Sequence, residues 1–396
     1  MASHAPTVEP LLEPYLPELL ELRRDIHAHP ELGFHESRTT QLIAQRLERA
    51  GLLVRRLPGT GLLCDIGTGG PVVALRGDLD ALPLAEETDV PWASTTPGVS
   101  HACGHDVHAT AVLGAGLALA DLNRRAPLRG RVRLIFQPAE ELMPGGAHDV
   151  IAHGGLDEVE RAYALHCDPH TDVGLVGSRV GPITAAADQI TVRLFGQGGH
   201  TSRPQLTEDV VFALAQVVTG VPAVLSRRMD PRSGVAMVWG RINAGQAPNA
   251  IPARGEVAGT FRCLDSSVWT GAAALIGDAV REIVQPYGVR AEIQHVRGVP
   301  PTVNDATCVE IAEAAVRAEL GEDTVVLTPQ SLGGEDFAWI LEKVPGAMLR
   351  LGTRTPGGHT YDLHRPDFVP DERALGLGAR TLAAIAVRDL ETHARS

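Results

Sequence analysis

The sequence predicts an α/β protein in which helices flank a sheet with parallel strands and a smaller α+β domain is inserted. Helical and strand patterns alternate in the first third of the chain, which is typical of parallel sheets with crossover helices. From about Asp188 the order becomes β-α-β-β-α-β, which is typical of a ferredoxin-like unit. After Val299 the first pattern returns, so we expect one compact domain to be inserted into a loop of the other.

The first part of the chain is predicted to supply most of the larger domain. Two helices are expected, "YLPELLELRRDIHAHP" with Pro17 near its start, and "SRTTQLIAQRLERAG" with Ser37 as its N-cap and Gly51 at its end. Short apolar runs predict strands at "GLLCDIG", "VVALRGD", "RVRLIFQP" and "RAYALHC". The stretch "ATAVLGAGLALADL" predicts a crossover helix between the second and third of these strands.

The rest of the chain divides into the inserted domain and a returning part. In the inserted domain, strands are predicted at "DQITVRLFG", "GVAMVWGRI", "ARGEVAGTFRC" and "VRAEIQHV", with helices at "EDVVFALAQVVTGVPAVLSRR" and "SSVWTGAAALIGDAVREIVQPYG". The returning part reads as helix, strand, helix and strand at "ATCVEIAEAAVRAELG", "TVVLTP", "GEDFAWILEKV" and "AMLRLGT". We therefore expect a larger domain made of residues 1–186 and 298–396, with residues 187–297 inserted.

Composition limits the classes of function. At 396 residues the chain is long enough for two domains. Its formal charge of −13 repels polyanions, so nucleic acid and membrane are not expected partners, whereas divalent cations fit the field. The N-terminal stretch has no basic region and no apolar run of transmembrane length is expected, which predicts a cytoplasmic location. Five scattered cysteines argue against a disulfide framework.

Polar side chains follow the predicted strands at one edge of the sheet. Because parallel strands end at a shared edge and ligands bind beyond it, residues just after these strands are candidates for a site. The turn "HACGHD", which opens the crossover helix, adds a cysteine and a histidine. The candidates are Asp78, Asp80, Cys103, His105, Glu140, Glu141, His166 and His364.

Each candidate has an ordinary structural explanation when taken alone. A carboxylate after a strand is often a helix cap, a lone histidine is often a core residue, and the pair Glu140–Glu141 would be a solvated surface pair. Together, however, the candidates supply the thiolate, imidazole and carboxylate ligands that zinc, manganese, cobalt or nickel prefer. Asp78 and Asp80 are expected to orient imidazole ligands.

Successive motifs resemble one known family along almost the whole chain. In order, they are "RRDIHAHPELGFHE", "RGDLDALPL", "HACGHDVHAT", "IFQPAEE", "GQGGHTSRP", "APNAIP" with "GTFR", and "GGEDFA". They resemble the aminoacylase/carboxypeptidase metallohydrolase family, in the branch of N-acyl-L-amino-acid amidohydrolases that includes hippurate hydrolase and the indole-acetyl-amino-acid hydrolases. The resemblance implies a zinc-peptidase-like mixed sheet, an inserted lid and dimerisation domain, and a homodimer or higher homo-oligomer.

The resemblance also implies roles for individual residues. It implies Glu140 as general base and two divalent ions per subunit, zinc or manganese, with cobalt or nickel as further choices. The corresponding metal ligands are Cys103, His105, Glu141, His166 and His364. In the inserted domain, His200 corresponds to a residue that contacts the scissile carbonyl oxygen, in its own subunit or in the partner's. Asn249 and Arg262 correspond to residues that hold the substrate carboxylate.

The predicted reaction is hydrolysis of the amide bond of an N-acyl-L-amino acid to a carboxylate and a free amino acid by a metal-activated water. A dipeptidase, a carboxypeptidase or an acyl-diaminopimelate deacylase of the same family is the nearest alternative. A cysteine hydrolase with Cys103 as nucleophile and His105 as base would leave the glutamate pair unexplained. A structural metal site would leave Glu140 without a role. The stretch "LMPGGA" replaces the family's usual glycine after "QPAEE", so the acyl-group preference stays open.

Overall fold

The computed structural model describes residues 8–393, which form two compact units. The first contains the described residues of Met1–Gly181 with Val303–Pro329 and Asp336–Ser396, and the second contains Pro182–Thr302 with Gln330–Glu335. The sequence did not predict the return of residues 330–335 to the second unit. The predicted domain boundaries after residues 186 and 297 stay a prediction.

The first unit begins with helices and strands in alternation. Its helices before the insertion are α1 (Glu9–Leu12), α2 (Leu16–Ala28), α3 (Ser37–Arg49), α4 (His105–Arg125) and α5 (Ala147–Ala152). Its strands there are β1 (Val54–Arg56), β2 (Leu62–Gly67), β3 (Val72–Asp78), β4 (Arg131–Gln137), β5 (Val159–Asp172) and β6 (Val176–Ser178). Ser37 is the first residue of α3 rather than its cap. Strand β5 continues beyond the predicted run to Asp172, so His166, which is near the end of that run, lies in the interior of the strand.

The second unit follows with the predicted alternation and a few short additions. Its strands, counting the one at its boundary, are β7 (Gly181–Thr184), β8 (Ala186–Phe195), β9 (Gly199–His200), β10 (Ala236–Ala244), β11 (Ala250–Ile251), β12 (Arg254–Cys263) and β13 (Arg290–Val299). Its helices are α6 (Val210–Arg228) and α7 (Ser266–Val284). Asp209 and Asp265 cap these two helices through their carboxylates, which fixes where each begins.

The returning part completes the first unit. It contains β14 (Thr302–Asn304), α8 (Ala306–Leu320), β15 (Val325–Leu327), α9 (Phe337–Leu341), β16 (Gly346–Arg354) and α10 (Arg373–His393). The sequence analysis did not assign α10, which is a 21-residue helix. Strand β14 was not predicted either, whereas α8, β15, α9 and β16 lie within or across the runs predicted for them.

The first unit is built on an eight-stranded mixed sheet in the order β1-β2-β4-β3-β5-β16-β6-β15. Strands β4, β3, β5 and β16 run parallel to one another, whereas β2 is antiparallel to β4 and β6 is antiparallel to β16. The mixed sheet implied by the resemblance is therefore confirmed. Because the four central strands are parallel, the residues that follow β3, β4 and β16 lie at one edge of the sheet.

Helix α4 lies at the centre of the first unit and sets the position of its own N-terminus. All of its first sixteen residues are buried, and it packs between the sheet, α2 and α10. A Cβ atom at Gly116 would lie 2.3 Å from Leu134 Cδ1 of β4, so glycine allows the helix to approach the sheet closely. This packing holds His105, the first residue of α4, at the sheet edge described above.

The second unit has the ferredoxin-like strand order. Its four-stranded sheet runs β10-β12-β8-β13, and each neighbouring pair is antiparallel. Helices α6 and α7 pack against each other and on this sheet. The β-α-β-β-α-β pattern of the sequence thus folds as expected.

Helix α6 is long and apolar enough to cross a membrane by length and composition alone, with a mean hydropathy of 1.6. The expectation that the chain has no segment of this length was therefore wrong by that criterion. One third of the segment is buried, including Val217 and Leu225. The exposed remainder includes Val211 and Phe212.

Candidate metal centre

The turn before α4 brings a thiol and an imidazole to the sheet edge. Cys103 and His105 are both buried, and Gly104 between them has a φ of +82°. A Cβ atom at Gly104 would lie 2.7 Å from Cys167 Sγ, so both its backbone conformation and its surroundings require glycine. The Sγ atom of Cys103 lies 3.5 Å from His166 Nε2.

A hydrogen bond fixes the orientation of His166. Its Nδ1 lies 2.9 Å from the carbonyl oxygen of Cys167, and because a carbonyl can only accept, Nδ1 carries the proton. The lone pair of Nε2 is therefore free to face Cys103. Burial and the charge of Arg350 lower the pKa of His166 well below its usual value, so this imidazole is neutral, which is the form that binds metals.

Two buried carboxylates anchor the turn that carries Glu140 and Glu141. The backbone N–H groups of both glutamates donate to the carboxylate of Asp80, at 2.9 Å each. The N–H of Ala139, one residue earlier, donates to Glu36 at 2.7 Å. Ala139 has a φ of +51°, a strained conformation that such anchors can maintain. Asp80 thus holds the glutamate backbone, in addition to lying 3.4 Å from His105 Nδ1.

His364 reaches the same place from the loop that follows β16. Its N–H donates to the carbonyl of Ala102 at 2.8 Å, and its φ of +59° is another positive value at this edge. Its Nε2 lies 3.0 Å from Glu141 Oε1. The side chain is half exposed, so this side of the cluster is open to solvent.

The electrostatics of the cluster favour a bound cation. Burial alone would lower the pKa of His105, but Asp78, Asp80 and Glu141 outweigh it and raise that pKa to about 10. Its Nε2 lies 3.8 to 3.9 Å from carboxylate oxygens of Asp78, Glu140 and Glu141, and has no hydrogen-bond partner among the described residues. Several carboxylates thus surround a buried nitrogen that no protein donor or acceptor satisfies.

Donor atoms that could hold a metal ion form overlapping groups in the first unit. In each group the ligand atoms lie within 4.8 Å of one another. One group is Cys103, His105 and His166, and another is Cys103, Glu141 and His364. A third consists of His105, Glu140 and Glu141, and a fourth of Asp78, His105 and His108. Thiolate, imidazole and carboxylate donors with an unsatisfied buried nitrogen fit divalent transition metals.

The predicted residues of the second unit fall into two places. His200 in β9 pairs with β11, and the N–H of Thr201 donates to the carbonyl of Asn249 at 3.2 Å, so His200 and Asn249 lie together. The N–H of Ser202 donates to His200 Nδ1 at 3.0 Å, which leaves the proton on Nε2. Arg262 pairs with Ala187 at the opposite end of β8, and donates to the carbonyl of Leu332.

Several residues around the cluster were missed by the sequence analysis. His108 donates from Nδ1 to Asp78. His27 Nδ1 lies 2.8 Å from Oδ2 of Asp106, the residue that follows His105. Glu36 and His27 lie in the "HAHPELGFHE" stretch, which the sequence analysis noted as part of a motif but did not connect to the cluster. Their partners are 103 and 79 residues away along the chain. Within the sequence, only the motif that contains "HAHPELGFHE" indicated that Glu36 and His27 belong near the cluster.

Known proteins similar to this chain include hydrolases and a metal-binding peptidase. A deacetylase of N-acetylcysteine from Bacillus subtilis is 37% identical over 378 residues, covering 94% of this chain and 97% of the relative. A protein named as a glutamate–cysteine ligase 2-3 from Rhodococcus jostii is 50% identical over 370 residues, or 93% of this chain, but the chain spans only 46% of that protein's length. A crystal structure of a dinuclear metal-binding M20 peptidase from Bacillus subtilis has a TM-score of 0.83 and 34% identity, covering 96% of this chain and 99% of the other.

The family assignment rests on the length of the match as well as on the site. The model of peptidase family M20/M25/M40 matches residues 74–388, which include every predicted metal ligand. The chain belongs to the M20/M25/M40 peptidase family, in agreement with the resemblance of its motifs, and is a metal-dependent amidohydrolase.

Proposed function

We propose that this enzyme hydrolyses N-acyl-L-amino acids to a carboxylic acid and a free amino acid, using two divalent ions. The observation that carries the proposal is the pair of three-donor groups that share Cys103. One ion would be held by Cys103, His105 and His166, and the other by Cys103, Glu141 and His364. Cys103 belongs to both groups, so its thiolate would serve as a ligand in each.

Glu140 is the proposed general base. It is the glutamate of the pair that neither of these two groups requires, and its carboxylate lies 3.9 Å from His105 Nε2. When bound, the ions polarise the scissile carbonyl and acidify a water molecule. Glu140 accepts the proton of the attacking water and delivers it to the leaving amine, while Asp80 holds its backbone in place.

His200 is the proposed donor to the carbonyl oxygen, and Asn249 and Arg262 are proposed to hold the substrate carboxylate. The Nε2–H tautomer of His200 supports its role, since a donor is what a developing oxyanion needs. Along β8 and β12, however, Arg262 lies about 26 Å from the strand end that leads to His200, estimated at 3.3 Å per residue over eight residues. A small substrate cannot span that distance. This separation favours a homodimer in which Arg262 comes from one subunit, and His200 with its neighbour Asn249 comes from the other.

The amino-acid part of the substrate is proposed to include cysteine. Two similar proteins carry cysteine in their names, one as a deacetylase of N-acetylcysteine and one as a glutamate–cysteine ligase. The second is more than twice as long as the matched segment, so it supports the substrate proposal only weakly compared with the first. A cytoplasmic location accords with these thiol compounds and stays a prediction.

A cysteine hydrolase is the alternative from another class. Burial and the charges of Glu141 and Glu140 raise the pKa of Cys103 well above its usual value, whereas a cysteine nucleophile needs a lowered pKa. In addition, His105, the predicted base of this alternative, forms no hydrogen bond with Cys103 among the described residues, and the glutamate pair would have no role. These observations favour the metal-dependent mechanism.

The test is a substrate screen of the wild type and the Glu140→Gln variant, each loaded with Zn²⁺ or Mn²⁺. N-acetyl-L-cysteine, other acetyl, benzoyl and indole-acetyl amino acids, and simple dipeptides are assayed for release of free amine. We expect the wild type to turn over acyl amino acids. In Glu140→Gln we expect kcat to fall by at least about 100-fold, in line with the usual contribution of general bases, while the metal content stays unchanged. Turnover of dipeptides alone would refute the substrate class, and activity that survives chelation but not thiol alkylation would favour the cysteine hydrolase.

A further inference from the structure

His108 has both ring nitrogens committed to hydrogen bonds inside the first unit. It is buried in α4, and its Nε2 accepts from the backbone N–H of Cys167 at 2.8 Å. Because an N–H can only donate, Nε2 carries no proton, so the proton is on Nδ1. Nδ1 donates to Asp78 Oδ1 at 2.7 Å. This bonding pattern fixes both the tautomer and the ring orientation of His108.

The acceptor of this bond, Asp78, is itself held in place by a buried guanidinium. The guanidinium of Arg76 donates to the second carboxylate oxygen of Asp78. Arg76 and Asp78 are both buried, so the pair forms a fixed support beneath His108.

The chain of contacts continues from His108 to His166. Cys167 donates its N–H to His108, while its carbonyl accepts from His166 Nδ1 at 2.9 Å. The rings of His108 and His166 also pack together, with centroids 4.9 Å apart. The backbone that orients His166 is therefore fixed by His108, and the His166 ring rests against it.

We propose that His108 is a positioning residue that aims His166 Nε2 at the metal site beside Cys103. The inference rests on the proposed two-ion function, since it assigns His166 to the site. His108 acts through the Cys167 backbone, with Asp78 and Arg76 behind it. Partners that orient an imidazole ligand typically change metal affinity about 10- to 100-fold when removed.

A competing role for His108 is direct ligation. Asp78, His105 and His108 form a group of donors close enough to share an ion. Ligation by His108 would require Nε2 to release the Cys167 N–H, or Nδ1 to release Asp78, and either change leaves a buried polar group unsatisfied. The two roles predict different numbers of bound ions, which makes them separable.

The experiment measures Zn²⁺ binding to the full chain by chelator competition and counts bound ions at saturation. His108→Leu removes both hydrogen bonds, whereas His108→Gln can still accept from Cys167 through its side-chain oxygen. Thr110→Val is the matched control, because Thr110 is buried in the same helix and bonds only to the carbonyl of Asp106. Visible spectra of Co²⁺-loaded proteins report ligand geometry without relying on activity.

We expect every protein to bind two Zn²⁺ per chain at saturation. The affinity for Zn²⁺ should be lowered about 10- to 100-fold in His108→Leu and by a smaller factor in His108→Gln. It should be unchanged in Thr110→Val. The Co²⁺ spectrum should shift in His108→Leu. Wild-type affinity in His108→Leu, or only one ion at saturation, would overturn the proposal. If His108→Leu does not fold, His108→Gln decides by the same criteria. A wild type that binds no Zn²⁺ would overturn the proposed function itself and this inference with it.

Discussion

Replacing Glu36 should loosen the turn that carries Glu140 and Glu141. Glu36 is fully buried, and its two oxygens accept from the N–H of Ala139 at 2.7 Å and the hydroxyl of Thr60 at 2.6 Å. In Glu36→Ala the buried Ala139 N–H loses its partner, at a cost of about 1–3 kcal/mol, and the lost Thr60 bond costs about 0.5–1.5 kcal/mol. We therefore expect the free energy of unfolding to fall by about 1.5–4.5 kcal/mol, summing these two terms.

The effect on catalysis should exceed the effect on stability. Ala139 is held at a positive φ, and without Glu36 it can relax to an ordinary conformation and displace Glu140. A displacement of 1 Å at a reacting group costs about 100-fold in rate, so kcat/KM should fall about 100-fold in Glu36→Ala. Urea unfolding and steady-state kinetics on the best substrate measure the two effects.

Two further variants separate the anchor from general destabilisation. Glu36→Gln keeps an oxygen for Ala139 and should stay within about tenfold of wild-type kcat/KM. Burial raises the pKa of Glu36 in the native state. Above about pH 4 the native state therefore binds more protons than the unfolded state. The free energy of unfolding of the wild type should consequently fall as the pH rises from about 4 through the native pKa of Glu36. Glu36→Gln should lack this fall. Thr60→Val should lose stability but not activity. Wild-type kcat/KM in Glu36→Ala would refute the anchoring role.

Three other substitutions test the surroundings of the metal centre. Cys103→Ser should lower the metal content below two ions per chain, as measured by elemental analysis, and unchanged content would count against the ligand assignment. Asp106→Asn removes the nearer ion-pair partner of buried Arg23, at 2.7 Å, and leaves the more distant Glu372, at 3.5 Å. It should lower the free energy of unfolding of the metal-free protein by about 3–5 kcal/mol at pH 7. Burial would raise the pKa of Asp106, but Arg23 and His27 outweigh burial and lower that pKa. The difference in the free energy of unfolding between Asp106→Asn and the wild type, measured by urea unfolding, should therefore shrink as the pH falls below about 5. A difference that stays constant with pH would contradict this. Gly104→Ala places a residue with a Cβ atom in the left-handed region of the backbone, so it should lower the free energy of unfolding by at least about 1–2 kcal/mol and weaken Zn²⁺ binding. A variant with wild-type stability and wild-type Zn²⁺ affinity would show that the turn tolerates a side chain.

The fold was largely predictable because its determinants are local. Apolar runs predicted β3 and β4, and the stretch of small residues predicted α4. The β-α-β-β-α-β order predicted the fold of the second unit. The sheet edge then followed from the direction of the parallel strands. Missed features were those that local patterns do not encode, such as the full length of β5 and the antiparallel pairing of β2.

The candidate ligands were predictable as residue types at strand ends, but their supports were not. Glu36 reaches Ala139 and His27 reaches Asp106 across large sequence separations. The sequence analysis gave His108 no role, because only the structure shows that it accepts a hydrogen bond from the backbone beside His166. Contacts of this kind depend on tertiary packing and cannot be read from spacing along one chain.

The most direct test of the two-ion centre is anomalous diffraction from crystals of the full chain grown with Zn²⁺ or Mn²⁺. We predict two anomalous peaks per chain on either side of Cys103 Sγ, one beside His105 and His166 and the other beside Glu141 and His364, with donor distances of about 2.0–2.3 Å. No peak near Cys103, or a single ion bound elsewhere in the chain, would contradict the assignment of the metal centre.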